Sequence, residues 1–354
     1  MMTIVGTLWH TRRAFVMLVV AMVIGLAGSI ERTLAAAPAP QRPSPAPQAS
    51  GAGQQNFDNV SIQVLHVQGN VYMLAGAGGN TTVQVGEGGV LVVDTMFPQL
   101  SDKLLAAIRT LSPKPIHYII NTHVHGDHVG GNENLAKAGP TRPDRAPLDA
   151  GLGGNVAGTT AIIAHENVLN RMAASGPDAK SSGSWPTETY FGDDKEVFFN
   201  GEAIQILHQP AAHTDGDSMV FFRRSDVIAT GDIFTTTMYP FIDSQRGGSI
   251  NGIVDALNRI IDIAIPDHKV QEGGTMIVPG HGRLCDEQEV IEYRDMVTIV
   301  RDRIAYMIKK GRTLEQVKAA KPTLDFDPRY GTDSGFWTTS MFIDAIYRDL
   351  SKKK

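Results

Sequence analysis

The apolar run Ile116-His117-Tyr118-Ile119-Ile120 leads without a break into Asn121-Thr122-His123-Val124-His125-Gly126-Asp127-His128-Val129-Gly130-Gly131-Asn132. A short run of this kind reads as a strand, so His123, His125, Asp127 and His128 fall in a glycine-flanked loop at its end. Imidazole nitrogen and carboxylate oxygen are the ligands zinc accepts when thiolate is absent. The single cysteine, Cys285, excludes an intrachain disulfide and any multi-cysteine zinc or iron–sulfur site, so a metal centre here must use His and carboxylates. The alternation of His123 and His125 points both rings the same way, and Asp127 and His128 come round the turn toward a neighbouring position. A solvated surface cluster is the competing reading, disfavoured by this density of ligands beside a buried strand.

Around that loop the chain alternates between two periods. Strands are expected at 60–67, 71–74, 81–85, 90–94, 116–120, 161–164, 196–199, 203–207, 218–222, 226–230 and 275–280. Helical spacing is expected at 100–111, 133–137, 166–174, 250–263 and 286–310, with two shorter helices between 314 and 350. Sheets with helices outside them, in two halves, imply an α/β or α+β layered domain rather than a bundle or sandwich. With 354 residues, 42% of them hydrophobic, a large core is available. Residues 139–160, rich in Gly and Pro, read as an inserted surface loop.

Residues 14–30 form an uncharged apolar stretch preceded by Arg12-Arg13, which reads as a signal peptide over 1–37, with an uncleaved membrane anchor as the competing reading. Thr11-Arg12-Arg13-Ala14-Phe15 also resembles a twin-arginine export signal, implying a periplasmic or secreted protein. The Pro/Ala-rich residues 38–58 read as a tether, followed by the main domain at 59–312 and a helical extension at 313–354. Cleavage after residue 37 removes three arginines and one glutamate, taking the formal charge from −5 to −7. Such a balance gives no reason to expect a nucleic-acid partner or stable membrane association after cleavage.

The histidine loop resembles the metallo-β-lactamase superfamily, and the resemblance continues in order down the chain. Pro210-Ala211-Ala212-His213-Thr214-Asp215-Gly216-Asp217-Ser218 is similar to the family's third-histidine loop. Ala229-Thr230-Gly231-Asp232 is similar to its bridging-carboxylate strand end, and Val278-Pro279-Gly280-His281-Gly282 to its last-histidine turn. The resemblance covers about residues 60–312 and implies a four-layer αββα fold. It also implies two zinc ions per chain: one on His123, His125 and His213, the other on Asp127, His128 and His281, with Asp232 between them. Five neutral imidazoles and two carboxylates leave two divalent cations with a net positive charge, which suits generation of hydroxide at neutral pH. The implied activity is hydrolysis of a small ester, thioester, lactone or lactam by that hydroxide, with Asp127 orienting the nucleophile or shuttling a proton.

The departures matter too. Some β-lactamases of the family carry Cys where this chain has Asp232, and others have no ligand there; Asp232 resembles glyoxalase II and lactonases instead. The alternative is a mononuclear iron oxidoreductase similar to persulfide dioxygenases of the same fold. Asp94 and Thr122 are candidates for orienting ligand histidines. Phe234, Tyr239, Phe241 and Arg246, in the loop that leaves Asp232, are candidates for holding a small-molecule substrate, with Trp185 a further aromatic beside the motifs. For Arg246 a structural pairing with Asp243 competes with a substrate contact. His66, His117, His165, His208 and His268 lack motif context and are read as structural, as is Cys285, a small buried thiol.

Overall fold

The computed structural model describes residues 56–140, 159–174, 182–266 and 273–352. The expected signal peptide, nearly all of the tether, most of the 139–160 insertion and His268 lie outside these residues. Four antiparallel neighbours open the chain: β1 (Gln63–Gln68), β2 (Val71–Ala75), β3 (Thr81–Gly86) and β4 (Gly89–Val93). The parallel strands β5 (Ile116–Ile120), β6 (Ala161–His165) and β7 (Glu188–Tyr190) complete a seven-stranded sheet in chain order. Parallel neighbours need a crossover. Here α1 (Ser101–Leu111), the short α2 (Gly126–Val129) and α3 (Asn132–Ala136), and α4 (Glu166–Ala174) provide them.

The second sheet runs in the order β12 (Met276–Val278), β11 (Val227–Ala229), β10 (Ser218–Phe222), β9 (Glu202–His208), β8 (Asp194–Phe199). Its one parallel pair, β11 with β12, is linked through α5 (Ile250–Ile263). After β12 come α6 (Glu287–Lys309), α7 (Leu314–Ala319), α8 (Asp327–Tyr330) and α9 (Thr339–Ser351).

Period-2 alternation sets the layers. Leu91 and Val93 of β4 point between the sheets, where they share a core with Ile206, Val220 and Val278. Val90 and Val92 point the other way, onto Leu100, Leu104 and Ile108 at α1. Beyond the second sheet, Met219, Ile228 and Ile277 meet Ile253, Leu257 and Ile260 of α5, Val290 and Val297 of α6, and Phe342 of α9. The result is the expected αββα arrangement.

Helix ends follow local chemistry. Ser249 caps α5 by accepting from the Gly252 N–H, and Asp286 caps α6 by accepting from the Glu289 N–H, with Glu287 and Glu289 in the first turn. The sequence reading missed β7 and α2, and the region 314–350 forms three helices rather than two. Nor do those helices stand apart: Tyr330, Trp337, Phe342 and Ile346 are buried in the same core as α5 and α6.

Candidate metal centre

Every candidate ligand lies just beyond the carboxyl end of a strand or in the loop joining two. His123 to His128 follow β5, His213 is in the β9–β10 connection, Asp232 follows β11 and His281 follows β12, while Asp94, the partner of His128, follows β4. Backbone bonds hold these loops together: Ser218 N–H donates to Thr122 O at 2.8 Å, Gly280 N–H to Gly231 O at 2.9 Å, and Asn80 N–H to Gly280 O at 2.7 Å. Glycine is required at two close approaches. A Cβ on Gly79 would overlap the His128 ring, and one on Gly280 would overlap Asp232 Oδ1.

The side chains form two groups able to hold cations: His123, His125, His213 and Asp232, and beside them Asp127, His128 and His281. Asp232 reaches both. Its Oδ2 lies 3.9 Å from His123 Nε2 and 3.7 Å from His213 Nε2. Its Oδ1 lies 3.2 Å from His128 Nε2 and 3.3 Å from His281 Nε2.

Hydrogen bonds on the far sides of the rings fix which nitrogens are bare. His213 Nδ1 is 2.6 Å from Phe241 O, and His125 Nε2 is 2.9 Å from Asp243 Oδ2. Carbonyl and carboxylate only accept, so those nitrogens carry the protons. The inward nitrogens, His125 Nδ1 and His213 Nε2, then face each other as lone pairs 2.9 Å apart. Two acceptors at that distance repel unless a cation lies against both.

Asp94 and Thr122 continue the pattern. Asp94, in the left-handed region at φ 62°, accepts from Thr122 N–H at 2.8 Å, from Thr122 Oγ1 at 2.7 Å and from His128 Nδ1 at 2.7 Å. A non-glycine residue in that conformation is strained, and such strain gathers at functional sites. With its hydroxyl proton given to Asp94, Thr122 Oγ1 accepts from His123 Nδ1 at 3.0 Å. The other nitrogen, His123 Nε2, is buried with no hydrogen-bond partner.

Burial holds His123 well below the ordinary imidazole pKa and His213 down at about 4, so both are neutral donors. His128 is pushed the other way: burial opposes its charge, yet Asp232, Asp127 and Asp94 raise it well above the usual value. His281 is raised too, by Asp232 and Asp127 against burial. Cation binding at such a place releases protons. The donor set therefore fits a pair of divalent metals.

The substrate candidates divide. Phe241 lines a cavity of about 330 Å³ that opens over His125, Asp127, Asp232 and His281. Phe234 and Tyr239 do not line it. Both are 1% exposed; Phe234 packs edge-on to Tyr293, and Tyr239 stacks on Phe342 with centroids 4.6 Å apart. The loop turns these two rings into the α6–α9 core, where burial of an aromatic side chain stabilises more than exposure in the cleft. Arg246 is also outside the cavity wall, donating to Asp243 Oδ2 at 2.7 Å, as the structural alternative required. Trp185 packs with Val124, Val129 and Val168. Cys285 is buried and its thiol is pushed up to about 12, in keeping with a structural role.

Sequence reasoning missed Asp243 as the partner of His125, and missed Tyr330, Phe336 and Trp337, which close one side of the cavity. Neither has a spacing signal, since each partnership exists only after folding.

Comparison with known proteins bears on the family and fold that carry this centre. The chain is 25% identical over 279 residues to the linear primary-alkylsulfatase of a Pseudomonas species, covering 69% of this chain and 51% of that protein. It is 26% identical over 219 residues to the probable hydroxyacylglutathione hydrolase of Schizosaccharomyces pombe, covering 60% of this chain and 67% of that protein. Among solved structures, the stereoselective inverting sec-alkylsulfatase from Pseudomonas sp. superposes with a TM-score of 0.60 at 15% identity, over 81% of this chain and 50% of that one. The chain thus spans about half the length of these alkylsulfatases. The metallo-beta-lactamase superfamily model matches residues 74–281, a span that includes every candidate ligand. The chain belongs to the metallo-beta-lactamase superfamily.

Proposed function

We propose that the protein is a hydrolase that holds two divalent cations, zinc ions, and cleaves a small carboxylic ester, thioester, lactone or lactam. The observation that carries this reading is the pair of bare nitrogens on His125 and His213, 2.9 Å apart with their protons committed outward. Divalent metals bound there would polarise the scissile bond and make hydroxide available at neutral pH. Asp232, reaching both ligand groups with separate oxygens, would help to hold both cations. Asp127 is the acid–base candidate. It lines the cavity, its side chain is 22% exposed, and its Oδ2 lies 3.4 Å from His281 Nε2. It can therefore meet both solvent and substrate and pass a proton between them.

Zinc-loaded protein should be assayed against a chromogenic ester, a thioester, a lactone, a cephalosporin and an alkyl sulfate. Turnover of at least one acyl substrate is expected, with a loss of about 10²- to 10⁴-fold in Asp127→Asn. Turnover of the alkyl sulfate alone would overturn the acyl reading. Oxygen consumption with a persulfide by protein holding one iron would replace the hydrolase by the oxidoreductase.

A further inference from the structure

We infer that the cleft selects substrates whose non-reacting part is an uncharged aryl or short alkyl group, held on an aromatic wall supplied by the C-terminal segment, with Phe336 as its specificity residue. This rests on the hydrolase reading and names the substrate class of the same site.

The cavity has two unlike sides. Ala75, Gly76 and Gly78, beside Asp127, form a side of little bulk; Met238, Phe241, Tyr330, Phe336 and Trp337 form the other. The aromatic side begins at the candidate metal ligands, because Phe241 stacks on His125 with centroids 5.7 Å apart and planes 24° apart. It continues outward through Trp337, 4.7 Å from Phe241, and Phe336, 5.8 Å from Phe241 and edge-on to it. A group attached to a bond held beside His125 and Asp232 has these rings within the same cavity to lie against. Apart from His125, Asp127, Asp232 and His281, the described side chains lining the cavity carry no charge. A carboxylate on the far end of the substrate would be desolvated there without a cationic partner, whereas a phenyl or propyl group gains apolar burial and ring contact.

The wall is built in advance of binding. Thr332 N–H donates to Thr339 Oγ1 at 3.1 Å and Thr339 N–H donates to Thr332 O at 2.9 Å, which closes the loop that carries Phe336. Thr332 Oγ1 donates to Ser334 O at 2.9 Å inside it. The preceding turn is tied to the β11–α5 loop, since Tyr239 OH donates to Asp327 Oδ1 at 2.9 Å. Fixing the loop beforehand lowers the ordering cost of binding. Phe336 nevertheless remains 43% exposed, a large ring held at the cavity mouth.

The test uses zinc-loaded full-length protein and three 4-nitrophenyl esters that share a leaving group: acetate, phenylacetate and hemisuccinate. The expected order of kcat/KM is phenylacetate, then acetate, then hemisuccinate. Phe336→Ala should narrow the phenylacetate-to-acetate preference on the order of tenfold, mainly through KM. Phe336→Lys should raise hemisuccinate relative to phenylacetate. Tryptophan fluorescence titrated with benzyl methyl ketone, uncharged and unhydrolysable, gives a binding readout, and Phe336→Ala should weaken it in zinc-loaded and metal-free protein alike. Equal preference for all three esters, or ester preference and ketone binding that ignore Phe336, would overturn the inference. Ketone binding that depends on Phe336 in a protein that cleaves no ester would uphold the wall and count against the hydrolase reading alone.

Discussion

Asp243 accepts hydrogen bonds from His125 Nε2, from the Arg246 guanidinium and from the backbone N–H groups of Gln245 and Arg246. Burial pushes its pKa up, yet the bonds from His125 and Arg246 win and hold the carboxyl below the usual range. It is therefore charged, and it fixes which nitrogen of His125 faces inward. Asp243→Ala should weaken metal binding about 10- to 100-fold, measured by competition with a chromophoric chelator. Arg246→Ala, which leaves Asp243 in place, should give a milder loss of the same kind and slow charged and neutral substrates alike. A rise in KM for anionic substrates only would mean that Arg246 meets the substrate after all. The ligand loops were readable because each packs its residues into a short, ordered motif. Asp243 was not, because 118 residues separate it from His125 and only the fold brings them together. Phe241 and Phe234 show the same limit. Both lie in one aperiodic loop, and nothing in its order says that one ring faces the cleft and the other the core.

At the scale of elements, strands of alternating burial and helices with a 3.6-residue apolar stripe were legible, and their expected bounds shift by only a few residues at the ends. β7, Glu188-Thr189-Tyr190, offers no apolar run, unlike the equally short β11 and β12. α8 is a single turn with Pro at its start, and reads as a break between two helices. The consequence reaches the cleft, for α8 and α9 hold the 330–337 segment that lines it. Tyr239 pins that region by stacking on Phe342 and by donating its one hydroxyl proton to Asp327 Oδ1 at 2.9 Å, with Thr323 O a second acceptor 3.2 Å away. Tyr239→Phe keeps the stack and removes the hydroxyl, so it should cost about 1–2 kcal/mol in denaturant unfolding without changing the metal content. An unchanged midpoint would show that the C-terminal helices are held by apolar packing alone.

Across the whole molecule, two sheets packed face to face bring β4, β5, β9, β11 and β12 to one edge of the sandwich, and the seven ligand candidates come from the loops there. No single element could gather them, which is why motifs from 123 to 281 converge. The two cations proposed for this site would meet neutral donors at His123 and His213 and displace protons from His128 and His281. Calorimetric titration of chelator-stripped protein with zinc, in two buffers of different ionisation enthalpy, measures both stoichiometry and proton release. Two equivalents per chain with net proton release are expected, falling to one or fewer in Asp232→Ala. A single equivalent in the unmutated protein, or one iron and no zinc in protein purified without added metal, would contradict that proposal.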